Sequence, residues 1–200
     1  MSKENKSKYA LLGVLSLGSM SGYDLKKTIE YSVGHFWKEN YAQIYPMLKV
    51  LEREGLAVSS TEKQAGRPDR HVYTITEGGL DELRHWLAEP FEMQVERNEL
   101  LLKLFLGELV QISTSIEHVQ SYRAMHAQLL QVYEQTEAHL REAMADHEQL
   151  PYWLITLSYG RHITQALLAW SEETLAVLSE LEHAGDAAQE HDMLHGPLER

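Results

Sequence analysis

Between Asn40 and Lys49 the chain reads NYAQIYPMLK, gathering side-chain amides, phenols and an ammonium group in one short stretch. These groups do not make or break bonds; they read surfaces by hydrogen bonding. Asn40 and Gln43 carry the donor–acceptor pair that fits adenine bidentately, tyrosine hydroxyls suit phosphate oxygens, and Lys49 offers a point charge. At about 100° per residue Tyr41, Tyr45 and Lys49 fall on one helical line, beside an apolar stripe of Ile44, Leu48 and Leu51. Further on, QAGRPDR places Arg67 and Arg70 at a turn built on Gly66 and Pro68, which is suited to a phosphate backbone. Motifs for catalysis are missing. The sequence has no cysteine, no GxSxG elbow, no phosphate-cradling glycine loop and no HExxH, so neither enzyme chemistry nor a cofactor is expected. No metal site is expected either: His118 and His126 stand two turns apart, and His191 and His195, though spaced i, i+4, lie just before Gly196 and Pro197 and read as solvated.

The elements that must position these groups follow from local chemistry. Pro46 near the start of an amphipathic segment is tolerable only at a helix beginning, where its missing N–H would be unpaired anyway and its fixed φ stiffens the entrance. The spacing therefore predicts regular helix from about Tyr45, with Asn40 to Ile44 as an irregular or 3₁₀-like lead-in, and Gly55 as the stop. Tyr9 to Leu17 is apolar enough for a buried helix. Ser21 and Asp24 form a capping box, with Met20 and Leu25 as a hydrophobic staple, for a second helix burying Leu25 and Ile29 and ending at Gly34. Val58 to Lys63 and His71 to Ile75 read as the two strands of a hairpin with a basic tip. Thr76 can cap a fourth helix to about Ala88, with Leu80, Leu83 and Leu87 on one face and its first turn weakened by Gly78 and Gly79. Three helices, a hairpin and a connecting helix are the parts of a winged helix-turn-helix, in which the helix after the turn meets the major groove and the hairpin reaches the backbone.

Charge divides the chain. Residues 1–90 carry 12 Lys+Arg against 12 Asp+Glu, and residues 91–200 carry 6 against 18, so the net charge of −12 belongs to the second part. An acidic second part would be repelled by a phosphate backbone. It reads as helix: an apolar run from Asn98 to Val110, a long polar segment from Thr114 to Asp146, and a final helix opened by Pro151. That last helix carries Ile163, Leu167, Trp170, Thr174, Val177 and Leu181 at alternating spacings of four and three. Helices of this length with apolar faces and no third partner call for a two-fold homodimer. Tyr152, Trp153, Tyr159 and Trp170 could wall a flat effector, although such a stripe is more often interface core. The expected fold is mainly α: a winged helix-turn-helix over 1–90, a helical dimerisation and effector domain over 91–184, and a flexible acidic tail over 185–200. With no membrane span in the sequence, the expected location is cytoplasmic.

The stretches SLGSMSGYDLKKTIE, GHFWKENYAQIYPMLKVLEREGL, GRPDRHVYTITEGG and LRHWLAEP together resemble the N-terminal domain of the PadR family of bacterial transcriptional regulators. The likeness continues through RNELLLKLFLGEL into a C-terminal part similar to the longer, virulence-activator-like members. The resemblance implies a homodimer binding double-stranded operator DNA, usually a repressor released by a small molecule, phenolic acids being the best-known inducers. Carried over by position, it implies DNA contact by Tyr23, Lys26, Asn40, Tyr41, Gln43, Tyr45, Pro46, Lys49, Arg67, Pro68 and Arg70. Met47 departs from the family, many members having a smaller residue there. The rival reading is a winged-helix module that binds protein without DNA, for which an apolar wing tip would be expected.

Overall fold

The computed structural model describes residues 6–34, 36–37, 41–63, 70–92 and 97–194, with the backbone alone at Tyr41 and over 186–194. Two compact units, Met1–Met93 and Gln94–Arg200, are each described by themselves.

In the first unit, α1 (Ser7–Leu15) is flanked by the short strand β1 (Met20–Ser21) and α2 (Gly22–Ser32); a 3₁₀ turn (Tyr41–Gln43) leads into α3 (Ile44–Arg53). Strands β2 (Ala57–Glu62) and β3 (Arg70–Ile75) follow, then α4 (Glu77–Ala88). The capping box forms: Asp24 N donates to Ser21 Oγ at 3.3 Å, and Ser21 N donates to the Asp24 carboxylate. Helix α3 begins one residue earlier than the sequence suggests, so Pro46 is its third residue, still within the turn whose N–H groups lack helical partners. Its end is a Schellman motif, with Leu56 N donating to Leu51 O and Gly55 N to Glu52 O, closed by Gly55 at φ +71°.

The core of this unit is the meeting of α1, α2 and α3, where Leu12, Leu25, Ile29, Ile44, Leu48 and Leu51 are all at most 1% exposed. Burying a leucine or isoleucine side chain is worth about 1.5–3 kcal/mol. The stripe that sets the orientation of α3 is thus also the one that stabilises the domain. Tyr9 stacks on Trp86 at 4.4 Å, seating α4 on α1.

Two sequence expectations are corrected here. The sheet has three strands, in the order β1-β3-β2, because Met20 and Ser21 pair with Tyr73 and Val72. Leu87 is 66% exposed; the buried face of α4 runs through Gly79 and Leu83, with Trp86 packed against the core. Gly79 is there for space, since a Cβ on it would fall 2.1 Å from Leu56 O.

The second unit holds α5 (Glu99–Phe105), a 3₁₀ turn (Gly107–Leu109), α6 (Ile112–Ala143) and α7 (Leu150–Leu194). Asn98 caps α5 by accepting from Leu101 N at 3.1 Å. Helices α6 and α7 form an antiparallel hairpin, pinned in order by Arg123–Glu172, Glu137–Arg161 and the ring contact of His147 with Trp153. Their seam buries Val119, His126 and Tyr133 from α6 and Leu157, Thr164 and Ser171 from α7, both at a spacing of seven as in a coiled coil. One residue back in phase from this seam runs the stripe of Ile163, Trp170 and Val177, which is expected to face a second subunit. The helix continues through 185–194, where a loose tail is expected.

Candidate nucleic-acid interface

The outer face of α3 follows from its inner one. With Ile44, Leu48 and Leu51 sealed against α1 and α2, the residues about 100° round the helix must face solvent, and Gln43, Tyr45, Pro46 and Lys49 are all exposed, Tyr45 by 56%. Tyr45 leans on the start of α2. A Cβ at Gly22 would lie 2.6 Å from its ring, so the glycine there leaves room for the phenol. Tyr41 belongs to the 3₁₀ turn ahead of α3. Asn40, Arg67 and Pro68 lie outside the described residues.

On α2, Tyr23 is 58% exposed and Lys26 is exposed. Sequence reading missed Lys27, whose Nζ stands 4.9 Å from the centre of the Tyr23 ring. The i, i+4 spacing of Tyr23 and Lys27 is the signal that could have found it. The phenol hydroxyl of Tyr23 is the main cause that raises the Lys27 ammonium above its ordinary value, keeping a positive charge beside the ring.

The two strands of the hairpin pair antiparallel up to the tip, Ala57 opposite Ile75 and Glu62 opposite Arg70. Arg70 is not an open cation at that tip. Its guanidinium pairs with Asp24 on α2, and it is half-buried. Tyr23, Lys26, Gln43, Tyr45, Pro46 and Lys49 therefore form the exposed set, while Arg70 is turned into the protein's own polar network.

The four aromatic residues named for an effector do not come together within one chain. Tyr152 and Tyr159 face outward from α7, Trp153 packs on His147, and Trp170 meets Tyr122 edge-on at 5.9 Å. An open cavity of about 300 Å³ lies instead between α5 and α6, lined by Leu100, Lys103, His118, Tyr122 and Met125 among others. Of the residues expected at the dimer interface, Ile163, Val177 and Leu181 are 45%, 52% and 55% exposed, whereas Leu167 and Trp170 are half-buried. His126 is buried, its Nδ1 donating to Tyr122 O at 2.8 Å. Among the described residues no cluster of three metal-ligating side chains occurs, and no helix is long and apolar enough to cross a membrane.

Comparison with known proteins agrees with this geometry. Residues 11–85 match the model of the transcriptional regulator PadR-like family, and residues 96–179 match that of the virulence activator alpha C-terminal region. The negative transcriptional regulator PadR of Bacillus subtilis (strain 168) is 29% identical over 176 residues, covering 86% of this chain and 96% of that one. The crystal structure of B. subtilis PadR in complex with operator DNA superposes with a TM-score of 0.75 at 25% identity, covering 86% of this chain and 98% of the other. The structure of the same protein with p-coumaric acid gives 0.67 at 25% identity, with the same coverage of both chains. With a winged helix-turn-helix matched by the first model and a long helical hairpin by the second, the chain belongs to the PadR family of transcriptional regulators, with a C-terminal half of the virulence-activator type.

Proposed function

We propose that this regulator is a homodimeric repressor whose two copies of α3 enter successive major grooves of an operator, and that a small aromatic acid releases it. The observation that carries the reading is the row of exposed Gln43, Tyr45 and Lys49 standing over a fully buried stripe of the same helix. Gln43 and Asn40 supply base-edge amides, and Tyr23, Lys26, Tyr41 and Lys49 supply backbone contacts. Arg67 and Pro68 of the wing lie against the neighbouring phosphates. Residues 1–90 do the reading and the helices beyond do the pairing, through the outward stripe of α7 that includes Ile163, Val177 and Leu181. The effector part rests on the relative crystallised with p-coumaric acid. Tyr152 and Tyr159 share that outward stripe, so a subunit covering it would turn them into walls of an enclosed site.

Electrophoretic mobility shift of the full chain on its own upstream duplex is the test, run from 50 to 200 mM salt. Binding should fall steeply as salt rises, and p-coumarate should release the complex. Absent or salt-independent binding on every fragment would favour the protein-binding module instead.

A further inference from the structure

Asp24 gathers three donors on a single carboxylate oxygen. Ser21 Oγ donates to Oδ2 at 2.6 Å, Ser21 N donates to the same atom at 3.3 Å, and the Arg70 guanidinium completes the set. Each donor comes from a different duty. The Ser21 hydroxyl caps α2, the Ser21 backbone belongs to β1 where it pairs with Val72, and Arg70 opens β3, the strand that returns from the wing tip. The Ser21 hydroxyl first, then the Ser21 backbone N–H and Arg70, hold the Asp24 carboxyl below the ordinary carboxylate range, so it is ionised at neutral pH.

A carboxylate on the reading face would by itself repel a duplex, and an arginine already paired to it is a poor spare cation for phosphate. We propose that Arg70 and Asp24 form a positioning pair, not a phosphate contact: they yoke the base of the wing to the first turn of α2, fixing the angle between the wing and the Tyr23 and Tyr45 face. This rests on the DNA-binding reading above. It departs from the role that family resemblance gives Arg70. The pair sits at the surface, each side chain a little over one-third exposed, so a partner swap to phosphate is the rival it must exclude.

The two roles predict opposite outcomes for Asp24→Asn in the full chain. If Asp24 only repels, the substitution tightens binding to the upstream duplex. A positioning pair instead loses affinity, by about tenfold for Asp24→Asn and similarly for Arg70→Gln, with the double variant no weaker than either single one. The slope of log affinity against log salt should stay unchanged in all three, because no phosphate contact is removed. Tighter binding by Asp24→Asn, or a slope reduced by about 0.9 in Arg70→Gln, would make Arg70 a phosphate ligand and overturn the proposal. Arg70→Gln leaves the Ser21–Asp24 cap intact, so it carries the test should Asp24→Asn fold poorly. Hydrogen exchange of the DNA-free protein gives a second readout: both variants should speed exchange along β1 and β3, and unchanged protection there would also refute the yoke. Wild-type protein that binds no duplex would remove the function and this inference together; wild-type binding matched by both variants would remove this inference alone.

Discussion

In the first unit the leucines and isoleucines of α1, α2 and α3 close on one another and leave a polar row outside. In the second, α5 and α7 carry Leu101, Leu102, Phe105, Ile155, Ile163, Val177 and Leu181 at the surface. The first unit closes its main core within one chain and exposes a polar row on α3, with Leu87 and Phe91 as scattered apolar exceptions; the second lines one face of α7 with exposed apolar side chains. Its hairpin seam uses Thr164 and Ser171 where a self-sufficient bundle would place leucines. In the proposed dimer, folding and assembly are thus assigned to different halves.

The sharpest way to break this contrast is Leu48→Ala, which empties a site with no exposure at all and should cost about 2–5 kcal/mol, lowering the thermal midpoint of the N-terminal transition. A loss as small as that expected for an exposed residue would mean the first unit is not self-sufficient. Next comes the double change Val177→Asp with Leu181→Asp. It should give monomers in sedimentation velocity and about a hundredfold weaker operator binding, since one subunit reads only one half-site. A persisting dimer would move the interface off this stripe. A smaller effect, about tenfold in operator affinity with little change in thermal midpoint, is expected of Gly22→Val, because any Cβ there displaces the Tyr45 ring. Lys49→Ala should weaken every duplex alike by about fivefold and lower the salt slope by about 0.9, whereas Tyr45→Ala should change the ranking of sequences. The smallest effect concerns Glu137, whose carboxyl is held low first by Arg141 and then by Arg161. A depressed native value means its contribution is complete above the ordinary glutamate value of 4.5 and disappears as pH falls through the lowered one. Glu137→Gln should flatten the acid limb of a stability–pH profile by about 1 kcal/mol or less.

What was legible in the sequence was what local chemistry decides. The Ser21–Asp24 box, the Gly55 stop, the placing of Pro46 and the Thr76 cap each depend on residues within one turn. What escaped depended on partners distant in sequence. A two-residue strand such as β1 has no pattern of its own and exists only because β3 lies alongside it. The seam within the hairpin has no pattern of its own along α7, since it is chosen by α6, and small polar residues such as Thr164 and Ser171 do not advertise burial. Trp86 replaced Leu87 because Tyr9 offered a flat ring to stack on. Arg70 read as a free cation until tertiary structure supplied Asp24.

The Schellman turn after α3 has a mechanical consequence. Only Glu54, Gly55 and Leu56 separate that helix from β2, and Thr76 clasps the junction, its hydroxyl donating to Gly55 O at 2.7 Å and its N–H to Leu56 O at 3.0 Å. Helix and strand are therefore joined at this end by a short, hydrogen-bonded bracket, while the Arg70–Asp24 pair ties the base of the wing to α2. In the proposed dimer a signal reaching such a bracket would swing it bodily, which places control over DNA in how far apart the two brackets are carried.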